Sequence, residues 1–82
     1  MKLKKNIAVS ESGFVFDPNS GDSFSLNPIG SEILNLLKQE KNQEEIHSSM
    51  TNRYDVSPGE FDKYLLDFVQ TLKQFNLLEN DD

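Results

Sequence analysis

The chain lacks several residue types on which common protein chemistries depend. Its 82 residues include no cysteine and no tryptophan, and its one histidine is His47. Without cysteine the protein has neither a disulfide framework nor a thiolate metal site. No apolar run approaches the roughly 20 residues that span a membrane, and residues 7–9 are too few for the apolar core of a signal peptide. We therefore expect a cytoplasmic protein with no membrane partner.

Positive charge is also scarce. Lys and Arg total 8 against 14 Asp and Glu, which gives a formal net charge of −6. Lys2, Lys4 and Lys5 supply three of those cations, so the rest of the chain is strongly acidic. Because proteins bind nucleic acids largely through clustered Lys and Arg side chains, we expect no nucleic-acid partner.

No group of reactive side chains has the spacing of a catalytic or metal site. His47 has no second ligand or nucleophile at useful spacing, and we interpret it as structural. Residues 17–22 superficially resemble a calcium-binding loop, but Pro18 intrudes and Pro28 stands where that loop needs its bidentate Glu. The chain also has no glycine-rich phosphate loop. The sequence therefore predicts no catalytic residue, no metal site and no cofactor, and hence a protein that is not an enzyme.

Alternating apolar and polar residues predict three short strands in the first third of the chain. They are expected at residues 7–9, 14–16 and 22–26. Residues 10–13 and 17–21 separate them and are rich in Ser, Gly, Asp, Pro and Asn, which favour tight turns. Strands joined by such short turns form an antiparallel meander.

After the third strand the apolar period becomes helical, and three helix starts are visible. Asn27 is a predicted N-cap, and Pro28 follows at the first helical position. Asn42, with Glu three positions on, is close to a capping box. Ser57 opens a third helix, which we expect to run to about Phe75. The predicted fold is therefore α+β, with a three-stranded antiparallel sheet followed by three helices.

Length and composition predict a single domain. We expect it to occupy residues 1–82, with an ordered core over about residues 6–78. A chain of this size buries roughly 60% of the surface that it exposes when unfolded, so its core is thin. With six Phe and two Tyr, aromatic side chains are expected to supply much of the buried area.

The third predicted helix has an unusually wide apolar face. At about 100° per residue, one continuous arc contains Tyr64, Phe75, Phe68, Phe61, Leu72 and Leu65. Val69 and Leu66 extend this arc on one shoulder, where Asp62 and Lys73 also lie. An ordinary surface helix needs an apolar stripe of only about 100°. Either the helix is buried on two sides, or this shoulder lines a groove.

The order and spacing of several short motifs resemble the PqqD family, named for a pyrroloquinoline quinone biosynthesis protein. The matching positions in the first half are Asp17, Gly21, Phe24, Leu26, Asn27, Gly30, Ile33, Leu36 and Leu37. Those in the second half are residues 44–46, 53–57, Leu65, Phe68, Val69, Leu72 and residues 76–78. The resemblance covers about residues 7–78. One departure is Asn76, where the family usually has glycine, but Asn also tolerates the left-handed backbone region.

The resemblance implies a small winged-helix-like domain that acts as a peptide recognition element. Such domains bind the leader of a ribosomally made precursor peptide and present it to a modifying enzyme, for example a radical SAM enzyme. The leader is expected to add as a further strand on the third strand, in a groove against the third helix. The residues expected to bind the peptide are Asp22, Ser23, Phe24, Ser25, Leu26, Asp62, Leu65, Leu66, Val69 and Lys73, with Leu66 and Val69 holding an apolar side chain.

Two other functions stay open at the level of sequence. A winged-helix transcription module has the same architecture, but it needs a basic recognition helix, whereas the second helix carries Glu44, Glu45, His47 and Arg53. A structural or accessory subunit would use the edge of the third strand to dimerise. We expect a monomer or a weak homodimer.

Overall fold

The protein, described over residues 2–79 by a computed structural model, has an N-terminal sheet followed by three helices. The strands are β1 (Ala8–Val9), β2 (Phe14–Phe16) and β3 (Ser23–Ser25). They form an antiparallel sheet in the order β1-β2-β3. The helices are α1 (Pro28–Lys38), α2 (Gln43–Arg53) and α3 (Pro58–Gln74). The predicted α+β fold is confirmed.

Side-chain caps start each helix where the sequence predicts. Asn27 Oδ1 accepts the N–H of the third helical residue of α1 at 2.8 Å. Asn42 and Glu45 form a complete capping box, with bonds of 2.8 and 2.9 Å. Ser57 Oγ caps α3 in the same way at 3.2 Å. At the other end of α3, Asn76 has a φ of 60°, the left-handed conformation expected there.

The turn between β2 and β3 is organised by a buried carboxylate. Asp17 is 6% exposed. Its Oδ1 accepts the Asn19 N–H at 2.9 Å, and its Oδ2 accepts the Ser20 hydroxyl at 3.2 Å. The turn closes with the Gly21 N–H on the Asp17 carbonyl oxygen at 2.8 Å, where Gly21 has a φ of 79°. These bonds fix the position from which β3 starts.

The core is aliphatic rather than aromatic. Its buried apolar side chains are Leu3, Ile7, Val15, Ile33, Leu34, Leu37, Ile46, Met50, Phe61, Leu65, Val69, Leu72, Leu77 and Leu78. Phe61 is the one aromatic residue among them, and the rings of Phe24, Tyr54, Tyr64 and Phe68 are partly buried against them. The small volume between the sheet and the helices is filled by Ile and Leu, and most rings lie at its margin. Phe14 and Phe16 are exposed on the outer face of the sheet.

The two ends of the described chain are joined. Leu3 is buried and forms an isolated antiparallel bridge with Leu78. The Lys4 N–H donates to the Leu77 carbonyl oxygen at 2.9 Å, and the Glu79 N–H donates to the Lys2 carbonyl oxygen at 2.7 Å. This short ribbon holds the chain that leaves α3 against the core.

Candidate functional site

β3 forms the open edge of the sheet. It pairs with β2 on one side, and the sheet order leaves its other side without a strand among residues 2–79. Side chains alternate along a strand, so Ser23 and Ser25 share the exposed outer face while Phe24 points inward and is partly buried. An edge of this kind presents unpaired backbone groups to a second chain.

Hydrogen bonds at the two ends of the β2–β3 ladder show which backbone groups face that edge. The Leu26 N–H donates to the Gly13 carbonyl oxygen at 2.8 Å, and the Asp17 N–H donates to the Asp22 carbonyl oxygen at 2.9 Å. Opposed pairs in an antiparallel ladder alternate between bonded and non-bonded positions. Phe24 lies two residues from Asp22 and two from Leu26, both of which are hydrogen-bonded to residues that flank β2, so it occupies a bonded position as well.

Ser23 and Ser25 therefore occupy the non-bonded positions of the ladder. Their N–H and C=O groups point away from β2 and into the open edge. The edge thus offers two donors and two acceptors, spaced as the next strand of a sheet needs them.

One side of α3 runs alongside this edge. The ring of Phe75, the C-cap residue of α3, lies 4.7 Å from the ring of Phe24 between centroids, at an interplanar angle of 53°. Further along, Phe68 packs against the start of α1, where a Cβ built on Gly30 would lie 3.2 Å from Phe68 Cε1. The absence of a side chain at Gly30 therefore lets α1 approach Phe68 closely.

Tyr64 continues the same side of α3 towards its N-terminus. Its hydroxyl donates to Asn27 Oδ1 at 3.3 Å, two residues after the end of β3. The Tyr64 and Phe68 rings stack with centroids 6.3 Å apart. We call the set Tyr64, Phe68 and Phe75 the aromatic flank. Together with Phe24 it lines one wall beside the open edge.

The opposite side of α3 carries Asp62, Leu66 and Lys73. Near the start of α3 this side contacts α2. Asp62 Oδ1 lies 3.1 Å from His47 Nε2 of α2. At about 100° per residue, Leu66 and Lys73 share this side and lie roughly 140–180° around the helix from the aromatic flank. Leu66 is 58% exposed.

The ten residues expected at the peptide site are thus distributed over three places. Residues 22–26 form the edge strand and its two flanking positions, beside the aromatic flank. Leu65 and Val69 lie in the core, at 1% and 9% exposure. Asp62, Leu66 and Lys73 lie on the α2 side of α3, and a direct contact between them and a peptide stays a prediction.

The helical wheel placed the aromatic flank in the same apolar arc as the core residues of α3, and in the structure much of the flank is accessible. Phe75 is 48% exposed, and Tyr64 and Phe68 are partly buried. One signal in the sequence was available. Gly30, inside an otherwise good helix, indicates a close approach by a bulky partner, and here that partner is Phe68.

His47 is held by structural contacts. Besides Asp62, its ring packs edge-on against Phe61 with centroids 5.6 Å apart, and its Nε2 lies 3.4 Å from the Pro58 carbonyl oxygen. Within residues 2–79 there is no group of three or more His, Cys, Asp or Glu residues placed to hold a metal ion. None of the described helices is long and apolar enough to cross a membrane.

Comparison with known proteins identifies the family. The chain belongs to the family of coenzyme PQQ synthesis protein D (PqqD), whose sequence pattern matches residues 13–78. The resemblance noted in the sequence is thereby confirmed. No curated protein matches this chain.

Two solved structures share the fold over nearly the whole chain. TbiB1 in complex with the TbiA(beta) leader peptide is 28% identical, with a TM-score of 0.88, and the match covers 100% of this chain and 99% of that one. Lasso peptide synthetase B1 complexed with the leader peptide is 20% identical, with a TM-score of 0.82 and 96% of each chain covered. At 20% identity the second likeness shows the fold alone.

Proposed function

We propose that this protein binds the leader segment of a ribosomally made precursor peptide and presents it to a modifying enzyme. The leader adds as a fourth, antiparallel strand on β3. The observation that carries the proposal is the open edge at Ser23 and Ser25, whose free backbone groups lie beside the aromatic flank. The similar protein TbiB1, which holds the TbiA(beta) leader peptide, supports it.

Backbone pairing alone does not give useful affinity. The two donors and two acceptors of the edge allow four hydrogen bonds, each worth about 1 kcal/mol net. Their sum of about 4 kcal/mol corresponds to a Kd of about 1 mM, before any cost of ordering the peptide. Apolar side chains of the leader must therefore supply the rest.

The aromatic flank is the surface that receives them. Inward-pointing side chains of an added strand lie beside Phe24, where Phe75 is half-exposed and Phe68 is partly buried. Burying one large apolar side chain there contributes about 1.5–3 kcal/mol. Asp22, exposed at the start of β3, and the net charge of −6 favour a leader with Lys or Arg near these apolar anchors.

In this proposal the protein supplies recognition, and its enzyme partner supplies the chemistry. His47 is engaged by Asp62 and Phe61, which favours a structural role for it. The partner is a peptide-modifying enzyme, for which a radical SAM enzyme is one candidate class. Binding of duplex DNA is disfavoured because exposed Glu44 and Glu45 begin α2.

The experiment is a binding titration with two peptides. The TbiA(beta) leader peptide is the probe, and a scrambled peptide of the same composition is the control. A display library of random 20-residue peptides, selected on the full chain, extends the search to other leader sequences. We expect the selected peptides to be extended, to be apolar at alternate positions and to compete with one another for the same site on the protein. Tight binding of duplex DNA at physiological salt in a parallel titration, with no peptide enriched from the library, would contradict the proposal.

A further inference from the structure

A cleft lined by lysine lies where the C-terminal end of α1 meets the short ribbon of residues 2–4 and 77–79. Its volume is about 280 Å³. The buried side chains of Leu3 and Leu37 form its floor. Its rim is charged, and the residues there are Lys2, Lys4, Lys5, Lys38, Glu40 and Glu79. We call this cavity the lysine cleft.

Most of the positive charge of the lysine cleft is not neutralised. Lys2 Nζ lies 3.2 Å from Glu40 Oε1. Among residues 2–79, no carboxylate forms an ion pair with the ammonium group of Lys4, Lys5 or Lys38. The helix dipole gives Lys38, in the last turn of α1, a structural role, but Lys4 and Lys5 lie outside any helix. The cleft therefore has cations available to an anionic ligand.

The charge of this cleft is opposite to that of the protein as a whole. Four of the eight Lys and Arg residues line it, although the formal net charge is −6. Its two acids are Glu40, which is bonded to Lys2, and Glu79, which is half-buried. An anionic group that approaches the protein is therefore attracted here and repelled over most of the remaining surface.

The strand register places the lysine cleft at one particular end of the sheet. Ala8 of β1 pairs with Phe16 of β2, which in turn pairs with Ser23 of β3. Lys4 and Lys5 precede Ala8 by only four and three positions. These two lysines therefore lie at the end of the sheet where β3 begins.

The ribbon also connects the lysine cleft to the aromatic flank. The Lys4 N–H donates to the carbonyl oxygen of Leu77 at 2.9 Å, and Leu77 follows Phe75 by two residues. The ring of Phe75 in turn contacts the ring of Phe24 on β3. The cleft and the half-exposed end of the aromatic flank thus lie at the same end of α3.

A peptide paired antiparallel with β3 leaves the edge at this end. Its N-terminal residues lie beside Leu26, and its C-terminal residues run past Ser23. The added strand lies three strand spacings, about 14 Å, from β1, and the lysines are on the chain that enters β1. Because an extended chain advances about 3.3 Å per residue, about three to five residues of the peptide cover that distance.

The other end of the edge carries the opposite charge. Glu11 and Glu32 line a surface cleft with Leu26 and Pro28, where the N-terminal residues of an antiparallel peptide lie. Glu32 Oε1 lies 3.4 Å from Arg53 Nη2, whereas Glu11 is exposed. A peptide whose acidic residues follow its paired segment is therefore favoured in the antiparallel direction and disfavoured in the parallel one.

We propose that the lysine cleft binds acidic side chains of the precursor peptide, about three to five residues C-terminal to the segment paired with β3. The inference rests on the proposed function. The apolar floor receives the methylene groups of the acidic side chain, and Lys4 and Lys5 contact its carboxylate. A strand edge by itself pairs with either strand direction, and the lysine cleft selects the antiparallel one.

The first test is peptide selection on the full chain and on two charge-reversal variants. Peptides are selected from the random display library on the parent protein, on Lys5→Glu and on Lys63→Glu. On the parent we expect an alternating apolar segment, followed about three to five residues further on by Asp or Glu. Lys5→Glu is expected to keep the apolar segment and lose the acids. Lys63→Glu is the matched control and should keep both, because Lys63 is also exposed but lies near the start of α3, at the other end of that helix.

An affinity measurement supplies the second readout. One selected peptide is compared with a twin in which every Asp or Glu after the apolar segment is replaced by Asn or Gln. The parent protein is expected to bind the acidic peptide about fivefold more tightly than the twin, the effect of one or two exposed ion pairs. At about 1 M salt, where the Debye length is about 3 Å, this difference should disappear. Lys5→Glu should remove it at low salt as well, with thermal unfolding to show that the fold persists.

Amide shifts separate this inference from the proposed function. Both peptides should shift the amides of β3, and only the acidic peptide should also shift those of Lys4, Lys5 and Lys38. Shifts in β3 without any preference for acids, or the same acids selected on Lys5→Glu, would overturn this inference and leave the proposed function standing. Failure of the selection to yield any peptide that shifts β3 would contradict the proposed function itself.

Discussion

The rings of Phe24 and Phe75 lie 4.7 Å apart and join the open edge of the sheet to the end of α3. Phe24 keeps its backbone hydrogen bonds with β2, whereas its side chain reaches α3. The contact therefore fixes the angle between edge and helix without using any of the backbone groups that face outward. The open edge and the aromatic flank are thus adjacent surfaces. The first can pair with the backbone of a peptide, and the second can contact its apolar side chains.

Proline substitutions along β3 separate the two kinds of backbone position. Ser25→Pro removes an N–H that faces the open edge, so leader binding is expected to fall at least fivefold, about 1 kcal/mol, while the fold persists. Phe24→Pro removes a bond to β2 and is expected to lower stability as well. Calorimetric titration and thermal unfolding of both variants measure this. Equal loss of stability in the two variants would contradict the assigned register.

Two exposed residues on opposite sides of α3 identify the side that binds the leader. Phe75→Ser is expected to weaken leader binding about tenfold, because a half-exposed ring beside Phe24 loses its apolar contact. Leu66→Ser is the matched control, since Leu66 is even more exposed but lies on the side that begins against α2. The reverse result would place the peptide on the Asp62, Leu66 and Lys73 side. Fluorescence anisotropy with a labelled leader peptide is sufficient.

The buried Asp17 carboxylate is expected to matter for stability rather than for recognition. Asp17→Ala leaves the Asn19 N–H and the Ser20 hydroxyl without their acceptor. The unfolding free energy should fall by about 2 kcal/mol, which lowers Tm by roughly 10 °C in a domain of this size. Asp67→Ala removes an exposed acid and is the control. A Tm no lower than that of the control would refute this role.

His47 is predicted to be structural. His47→Ala removes the contacts with Asp62 and Phe61 and should reduce stability by about 1 kcal/mol, since Asp62 is largely exposed and a single ring–ring contact contributes about that much. Leader affinity should stay within about twofold of the parent, a change of under 1 kcal/mol. In a system reconstituted with the enzyme partner, a hundredfold loss of turnover with folding intact would show instead that His47 is catalytic.

Local chemistry explains why the element order could be predicted from sequence. A cap such as Asn42 acts within one helical turn, and the Asp17 turn acts within a few residues, so the sequence contains nearly all the information about them. The side of α3 that adjoins β3 depends on distant partners. Phe68 packs against the start of α1 because Gly30, thirty-eight residues earlier, leaves room for it. A helical wheel shows which residues share the apolar arc, but it does not show which strand or helix each part of the arc packs against.

The most direct test of strand addition is the map of amide shifts when leader peptide is added to uniformly labelled protein. Strand addition predicts that the largest shifts fall on Ser23 and Ser25 of β3, on Phe68 of α3 and on Phe75 at the C-cap of α3. New cross-strand contacts between Ser23 or Ser25 and the peptide backbone should accompany them. Shifts confined to α2 and β1, with β3 and α3 unchanged by a peptide that binds, would contradict it.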